Sequence, residues 1–231
     1  MRNGTEFRRS SAFRPRICTQ AALQTFAELV QKSKADIAAG LELKGASKAL
    51  PGWSSSGEYE DSVSIMVAPG WQVLKEGGGN ICCEKMRGLA VMLVRPPFRV
   101  PGCERLCVMA VHPGHAPIQG GHEIVQEVCG EVTESCAIAL GDWNVDAKQV
   151  KGGAFATWRK LVGGQDPTML APDATTCCHP YTYFKFDHHA TNIPGAEVLD
   201  VHIWDYQLLG YFSMQEEHMP VTVRFSIGKR P

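Results

Sequence analysis

The sequence predicts one α/β domain in which two mostly antiparallel β-sheets pack face to face and helices cover their outer faces, a four-layer sandwich. Short apolar runs bounded by glycine or proline outnumber helical stripes, and they do not alternate with helices regularly, as a βαβ barrel requires. The 231 residues are 44% hydrophobic, enough for a sizeable core. No linker, charge block or repeat divides the chain, so we expect a single domain over residues 19–231, preceded by a basic, irregular segment at 1–18.

Seven segments have the composition of strands and three have the spacing of amphipathic helices. The strands are predicted at 35–43, 62–71, 88–95, 105–112, 137–140, 181–186 and 221–227, and the helices at 19–30, 121–134 and 154–162. The glycine-rich run at 76–80 predicts a turn, because it lacks the strand and helix context of a nucleotide-binding loop. Glu58 and Glu60 are interpreted as solvated loop residues, with a buttress for His112 as the alternative.

Charge and cysteine usage restrict the class of protein. The formal net charge is −1, which gives no global cationic field for nucleic acid, so a phosphate-bearing partner needs a local site. Nine cysteines are an odd number with irregular spacing, and two pairs are adjacent in sequence, which predicts free thiols. Free thiols favour an intracellular, reducing compartment, either cytoplasm or nucleus, and no apolar run is long enough to span a membrane. We expect a monomer.

The segment Gly-Asp-Trp-Asn at 141–144 carries the first candidate chemistry. In an extended backbone Asp142 and Asn144 project to one side and Trp143 to the other. A carboxylate beside a carboxamide can bind a hard cation or orient a water molecule. The same residue types also begin turns and cap helices, so this pair alone does not decide between the two interpretations.

Other ionisable residues lie at or beside the ends of apolar strands. They are Glu42, His112, Asp187 and the pair Glu217 and His218. If these strand ends converge, the result is a cluster of carboxylates and imidazoles at one rim of a sandwich. Such a cluster has the composition of a Mg²⁺-dependent phosphate site.

Five segments together resemble the endonuclease/exonuclease/phosphatase superfamily, whose fold is DNase I-like. The segments are ADIAAGLE, VHPGH, GDWN, FDHHATN and EEHMPV, and they occur in the family's order and approximate spacing from about residue 20 to 227. Each string alone is weak, whereas five in register are specific. The final His-x-Pro-Val is the most specific of them. The resemblance implies a hydrolase of phosphoester bonds that uses Mg²⁺, or Mn²⁺ in its place.

The resemblance also implies a role for each matching residue. On the metal and water side, Glu42 is the principal metal ligand, Asp142 orients or deprotonates the attacking water, and Asn144 helps to position that water and the phosphate. On the phosphate side, His218 contacts the scissile phosphate and Asp187 fixes its orientation, while His112 is a second imidazole that can protonate the leaving oxygen. Arg87 lies where the family often has a phosphate-binding arginine.

Two features depart from the family pattern. Glu217 stands where the family usually has aspartate, and the additional methylene moves a ligating carboxylate by over an ångström, a displacement that can cost about 10²-fold in rate. The family's opening strand ends in a metal-side asparagine, and here that strand is expected to be incomplete, with Asn3 as the only candidate.

Three functions follow from these observations. The first is a divalent-metal-dependent phosphodiester hydrolase, an endonuclease with DNA as its substrate. The second keeps the metal chemistry but acts on a small or lipid phosphate, such as an inositol phosphate. The third is a binding module of the same fold that has lost turnover, which the departures at Glu217 and at the first strand motivate.

Overall fold

The computed structural model describes most of the chain. The described residues are 2–7, 15–81, 88–113, 118, 120–144, 153–163, 166–170, 187–204 and 221–227. Three predicted site residues, Arg87, Glu217 and His218, lie outside these ranges, as does the strand predicted at 181–186.

The first sheet has six strands in the order β11-β12-β1-β2-β4-β3. Their bounds are Arg2–Phe7 for β1, Ile37–Gly40 for β2, Ser54–Ser55 for β3, Ser64–Val67 for β4, Ala196–Ile203 for β11 and Val221–Ile227 for β12. Strands β1 and β2 are parallel, and the other neighbours are antiparallel.

The second sheet also has six strands, in the order β5-β6-β7-β8-β10-β9. Their bounds are Gln72–Asn80 for β5, Gly88–Arg95 for β6, Leu106–His112 for β7, Ala137–Asp142 for β8, Thr168–Leu170 for β9 and Asp187–Thr191 for β10. Here β7 and β8 form the parallel pair, so both strands end at the same edge of the sheet.

Three apolar clusters divide the molecule into layers. Ile37, Ile65, Val108 and Leu140 belong to the cluster between the two sheets. A second cluster lies on the outer face of the second sheet, under α2 (His122–Cys129) and α3 (Gly153–Leu161). The third lies on the outer face of the first sheet, where α1 (Pro15–Ser33) packs. The predicted α/β sandwich is therefore confirmed.

Two predictions about local structure are wrong. Residues 2–7, expected to be irregular, form β1 between β2 and β12. The glycine-rich run at 76–80 belongs to β5 and is not a turn, because its backbone is closely covered: a side chain on Gly77 would meet Val128, and one on Gly78 would meet the Tyr59 ring. Glycine carries no hydrophobic signal, so the sequence pattern does not show this strand.

The prediction of free thiols is wrong for four cysteines. Cys103 is disulfide-bonded to Cys136, and Cys107 to Cys129. The partners are 33 and 22 residues apart in sequence. They meet because β7 pairs with β8, and because α2, which packs on β5 and β6, ends beside β7; spacing alone does not reveal this. The prediction of a reducing compartment relied on free thiols. It loses the support of these four cysteines and stays a prediction. No helix in the described residues is long and apolar enough to cross a membrane.

Candidate active site

The second sheet brings three predicted site residues to one edge. Strands β7, β8 and β10 are neighbours, and their register pairs Asp187 with Asp142 and Val111 with Gly141, so His112 lies beside Asp142. Alternation along the strands directs these three side chains toward the gap between the sheets, because Ala110 and Leu140, two residues earlier, belong to the cluster there. Asp187 is the first residue of β10, whereas the sequence predicts it at the end of a strand.

Gly141 allows β7 and β8 to approach each other at this edge. An added Cβ at Gly141 would overlap the backbone of Val111, above all its carbonyl oxygen. The glycine that precedes Asp142 is therefore required by packing, and it sets the separation between His112 and Asp142.

We expect Gly141→Ala to destabilise the protein by about 2 kcal/mol, because the added methyl group meets backbone atoms that can move only with the strand. For a chain of this size the loss corresponds to a fall in Tm of about 6 °C, which calorimetry can measure. Gly120→Ala is the matched control, since its added methyl group would meet only Asn80 O at 3.9 Å. Equal Tm values for the two variants would contradict this account of Gly141.

Asp142 is the centre of the contacts that the structure shows. Its Oδ1 accepts a hydrogen bond from the backbone N of Asn144 at 2.9 Å, and its Oδ2 accepts one from Asn144 Nδ2 at 3.2 Å. The same Oδ2 lies 3.5 Å from His112 Nε2, and both of these side chains are fully buried. One carboxylate thus holds Asn144 through both of its oxygens and lies next to the His112 imidazole.

The local backbone explains how Asn144 reaches this position. We had expected extended alternation to place it beside Asp142, but Asn144 has φ +51°, in the left-handed region that asparagine tolerates. The chain turns after β8, and the Asp142 carboxylate closes that turn. The turn interpretation of the pair is therefore confirmed, and the interpretation that it binds a cation or orients a water stays a prediction. Trp143 points away from the candidate site, as predicted, and its Nε1 donates to His188 O at 3.0 Å.

Glu42 approaches the same edge from the first sheet. Gly40, at the end of β2, pairs with Ser64, and the preceding Val63 packs against Gly88. Gly88 in turn pairs with His112. This chain of contacts places the end of β2, and hence Glu42, at the rim where β7 and β8 end.

The backbone of Glu42 is in a sparsely populated conformation. Its φ is +52°, a conformation that costs a non-glycine residue about 1 kcal/mol or more and persists only where the surrounding structure imposes it. Those surroundings are Leu41, fully buried between the sheets, and Leu43, fully buried on the outer face under α1. Neighbours buried on opposite sides hold Glu42 at the rim, half exposed.

The donor atoms at this edge have the chemistry that Mg²⁺ requires. Glu42, Asp142, Asn144 and Asp187 supply oxygen atoms, and Mg²⁺ binds through one or two carboxylates together with water and substrate phosphate. Asp142 and Asp187 are buried carboxylates directly opposite each other, an arrangement that a cation or an imidazolium relieves. Within the described ranges, no three His, Cys, Asp or Glu residues lie close enough together to hold a metal by themselves.

Glu58 is an exposed loop residue, as predicted, but the sequence interpretation missed its contacts. Its carboxylate accepts hydrogen bonds from the segment that follows Glu42. No periodicity or motif marks this residue, since the partners are 11 and 13 residues away and are brought to it by the tertiary fold.

Solved structures share this architecture, although no protein-family model matches the sequence and no curated protein matches it either. The zebrafish (D. rerio) protein TDP2, solved with a single-strand DNA product, has a TM-score of 0.63 at 14% identity, with 96% of this chain and 97% of that chain covered. The chain has the endonuclease/exonuclease/phosphatase fold. A protein of that family from Bacteroides thetaiotaomicron has a TM-score of 0.59 at 16% identity, with 96% and 93% covered. The mannosyl-6-phosphatase of the same species has 0.58 at 15% identity, with 97% and 100% covered.

Strand β1 is the first described strand of the chain, and it lies next to β2 in the first sheet. Phe7 at its end pairs with Gly40, so β1 and β2 end at the same rim. Asn3 lies four residues before Phe7, roughly 13 Å along the strand from that end. The register therefore gives no support to Asn3 as a metal ligand, and its assignment stays a prediction.

Proposed function

We propose that this protein is a divalent-metal-dependent phosphoester hydrolase and that it cleaves phosphodiester bonds in DNA as an endonuclease. The observation that carries the proposal is the edge where His112, Asp142 and Asp187 lie side by side on three neighbouring strands, with Asn144 hydrogen-bonded to Asp142. DNA is favoured over other phosphoesters because the similar structures include TDP2 with a DNA product and the endonuclease domain of the retrotransposon TRAS1.

The reaction assigns a distinct step to each residue. A water oxygen forms a bond to phosphorus while the bond to the leaving oxygen breaks in line with it. Asp142 accepts the proton of the attacking water, and Asn144, fixed by both Asp142 oxygens, orients that water. His112, at 3.5 Å from the same carboxylate, is the imidazole available to protonate the leaving oxygen.

Glu42 and Glu217 would hold the metal, with Asp187 directing His218 toward the scissile phosphate and Arg87 binding a phosphate oxygen. When bound, Mg²⁺ supplies positive charge that offsets the charge developing on the phosphate oxygens. We expect weak, sequence-indifferent binding of DNA, because the net charge of −1 gives no global cationic field to attract the phosphate backbone.

A small phosphomonoester is the second candidate substrate. It is favoured by the similarity to a mannosyl-6-phosphatase that the alignment covers completely. Both substrate classes require the same metal chemistry, so the choice between them depends on the loops around the rim and not on Asp142 or His112.

Nicking of supercoiled plasmid tests the proposal. We expect nicking with Mg²⁺ or Mn²⁺, none with chelator, and a loss of about 100-fold or more in Glu42→Gln and His112→Ala. Asp166→Asn is the matched control, because that exposed carboxylate pairs with Arg159 on the surface.

Small chromogenic esters extend the test. Hydrolysis of a monoester without nicking would replace DNA by a small phosphate as substrate. No hydrolysis of plasmid, diester or monoester by the unaltered protein would contradict the enzyme proposal and favour a binding module.

A further inference from the structure

The Glu58 carboxylate binds the loop that follows Glu42. Its Oε1 accepts hydrogen bonds from the backbone N of Gly45, from the backbone N of Ser47 at 3.4 Å and from Ser47 Oγ at 3.0 Å. Gly45 has φ +92° and begins a short 3₁₀ turn at Ala46–Lys48. One acidic side chain thus satisfies the free N–H groups at the start of that turn.

The loop that carries Glu58 is itself firmly held. Ser56 N donates to Ile65 O at 2.9 Å, and Ser56 Oγ accepts from Ile65 N at 3.1 Å. Tyr59 N donates to Val63 O at 3.0 Å, and the Tyr59 ring covers Gly78 of the opposite sheet. Glu58 therefore extends from a support that is attached to both sheets.

The segment between β2 and the 3₁₀ turn forms a closed loop, because its two ends are in contact. Ala46 is fully buried and packs against Gly40, where an added Cβ would overlap the Ala46 side chain. Glu42 lies within this closed segment in its left-handed conformation. Burial of Leu41 and Leu43 fixes the segment near Glu42, and Glu58 fixes its far end.

We propose that Glu58 is a positioning residue for Glu42: by holding Gly45 and Ser47 it keeps the Glu42 carboxylate where it can bind the catalytic cation. This inference rests on the proposed function, in which Glu42 is a metal ligand. Residues that orient a metal ligand without touching the metal typically alter metal affinity by about 10- to 100-fold when they are replaced. Glu58 is exposed, so its removal leaves the core clusters intact.

The test is titration of the protein with Mg²⁺ alone, followed by the rise in Tm. We expect Glu58→Ala to require at least about tenfold more Mg²⁺ than the unaltered protein for the same rise in Tm. Glu58→Gln should recover most of the affinity, because its amide oxygen still accepts from Gly45 N and Ser47 Oγ. Glu60→Gln, a charge change on the same exposed loop, should behave as the unaltered protein does.

A purely structural role for Glu58 predicts a different result. In that case Glu58→Ala lowers the metal-free Tm, but a given Mg²⁺ concentration raises its Tm by as much as that of the unaltered protein, which would overturn the inference. Should Glu58→Ala not fold, Ser47→Ala removes one donor of the same contact and should shift the titration in the same direction by less.

The same titration also tests the proposed function separately from the inference about Glu58. If the unaltered protein and Glu42→Ala both show no Mg²⁺-dependent rise, Glu42 is not a metal ligand, and the inference about Glu58 falls with it. If the unaltered protein responds and Glu42→Ala does not, while Glu58→Ala responds like the unaltered protein, the inference about Glu58 alone is overturned.

Discussion

Replacement of Asp142 by asparagine is expected to lower the rate of metal-dependent phosphodiester cleavage by about 10³-fold in a protein that remains folded. Asparagine has the same shape, and its Oδ1 can still accept from Asn144 N and close the turn after β8. What is lost is the negative charge 3.5 Å from His112 Nε2, the oxygen that accepts from Asn144 Nδ2, and the proposed acceptor of the proton of the attacking water.

Single-turnover cleavage of a labelled DNA substrate measures this effect, with circular dichroism and Tm as checks on folding. Asp142→Glu is the informative companion, because it keeps the charge but displaces it by one methylene, for which we expect a loss of about 10²-fold. A rate for Asp142→Asn within tenfold of the unaltered protein would remove Asp142 from the proton transfer.

The central strands of the fold could be predicted because the apolar residues that they bury form recognisable patterns in the sequence. Strand β6 occupies the predicted residues 88–95 because it is a nearly continuous apolar run. Strand β12 occupies the predicted residues 221–227 because apolar and polar residues alternate along it. Strand β11 was missed, because it is an edge strand with exposed Val198 and Leu199 and a register shift at that point, which removes the two-residue period.

The residues of the candidate site could be predicted in part, and their arrangement could not. Strand ends point to Glu42, His112, Asp142 and Asp187, because a polar residue that ends a buried strand is conspicuous. That His112 and Asp187 flank Asp142 depends on strand order, which a sequence does not display. Contacts that join distant loops, such as that of Glu58 with Ser47, have no sequence signal at all.

Loss of the disulfide between Cys107 and Cys129 is expected to lower the free energy of unfolding by about 3 kcal/mol and Tm by roughly 10 °C. The bond joins β7 to the last residue of α2 and closes a loop with a sequence separation of 22, so it restricts the unfolded chain. Thermal unfolding of Cys107→Ala/Cys129→Ala under non-reducing conditions measures the effect.

Activity at low temperature should separate this stability effect from catalysis. Cys107 lies five residues before His112 on β7, about 17 Å from it along the strand, so the double variant should keep the cleavage rate of the unaltered protein where both are folded. Reduction of the unaltered protein should lower its Tm to that of the variant or below it, because the bond between Cys103 and Cys136 is reduced as well. Maleimide labelling of Cys107 and Cys129 without prior reduction would show that the bond is absent. The difference in Tm between the unaltered protein and the double variant would then be only that of two small core substitutions.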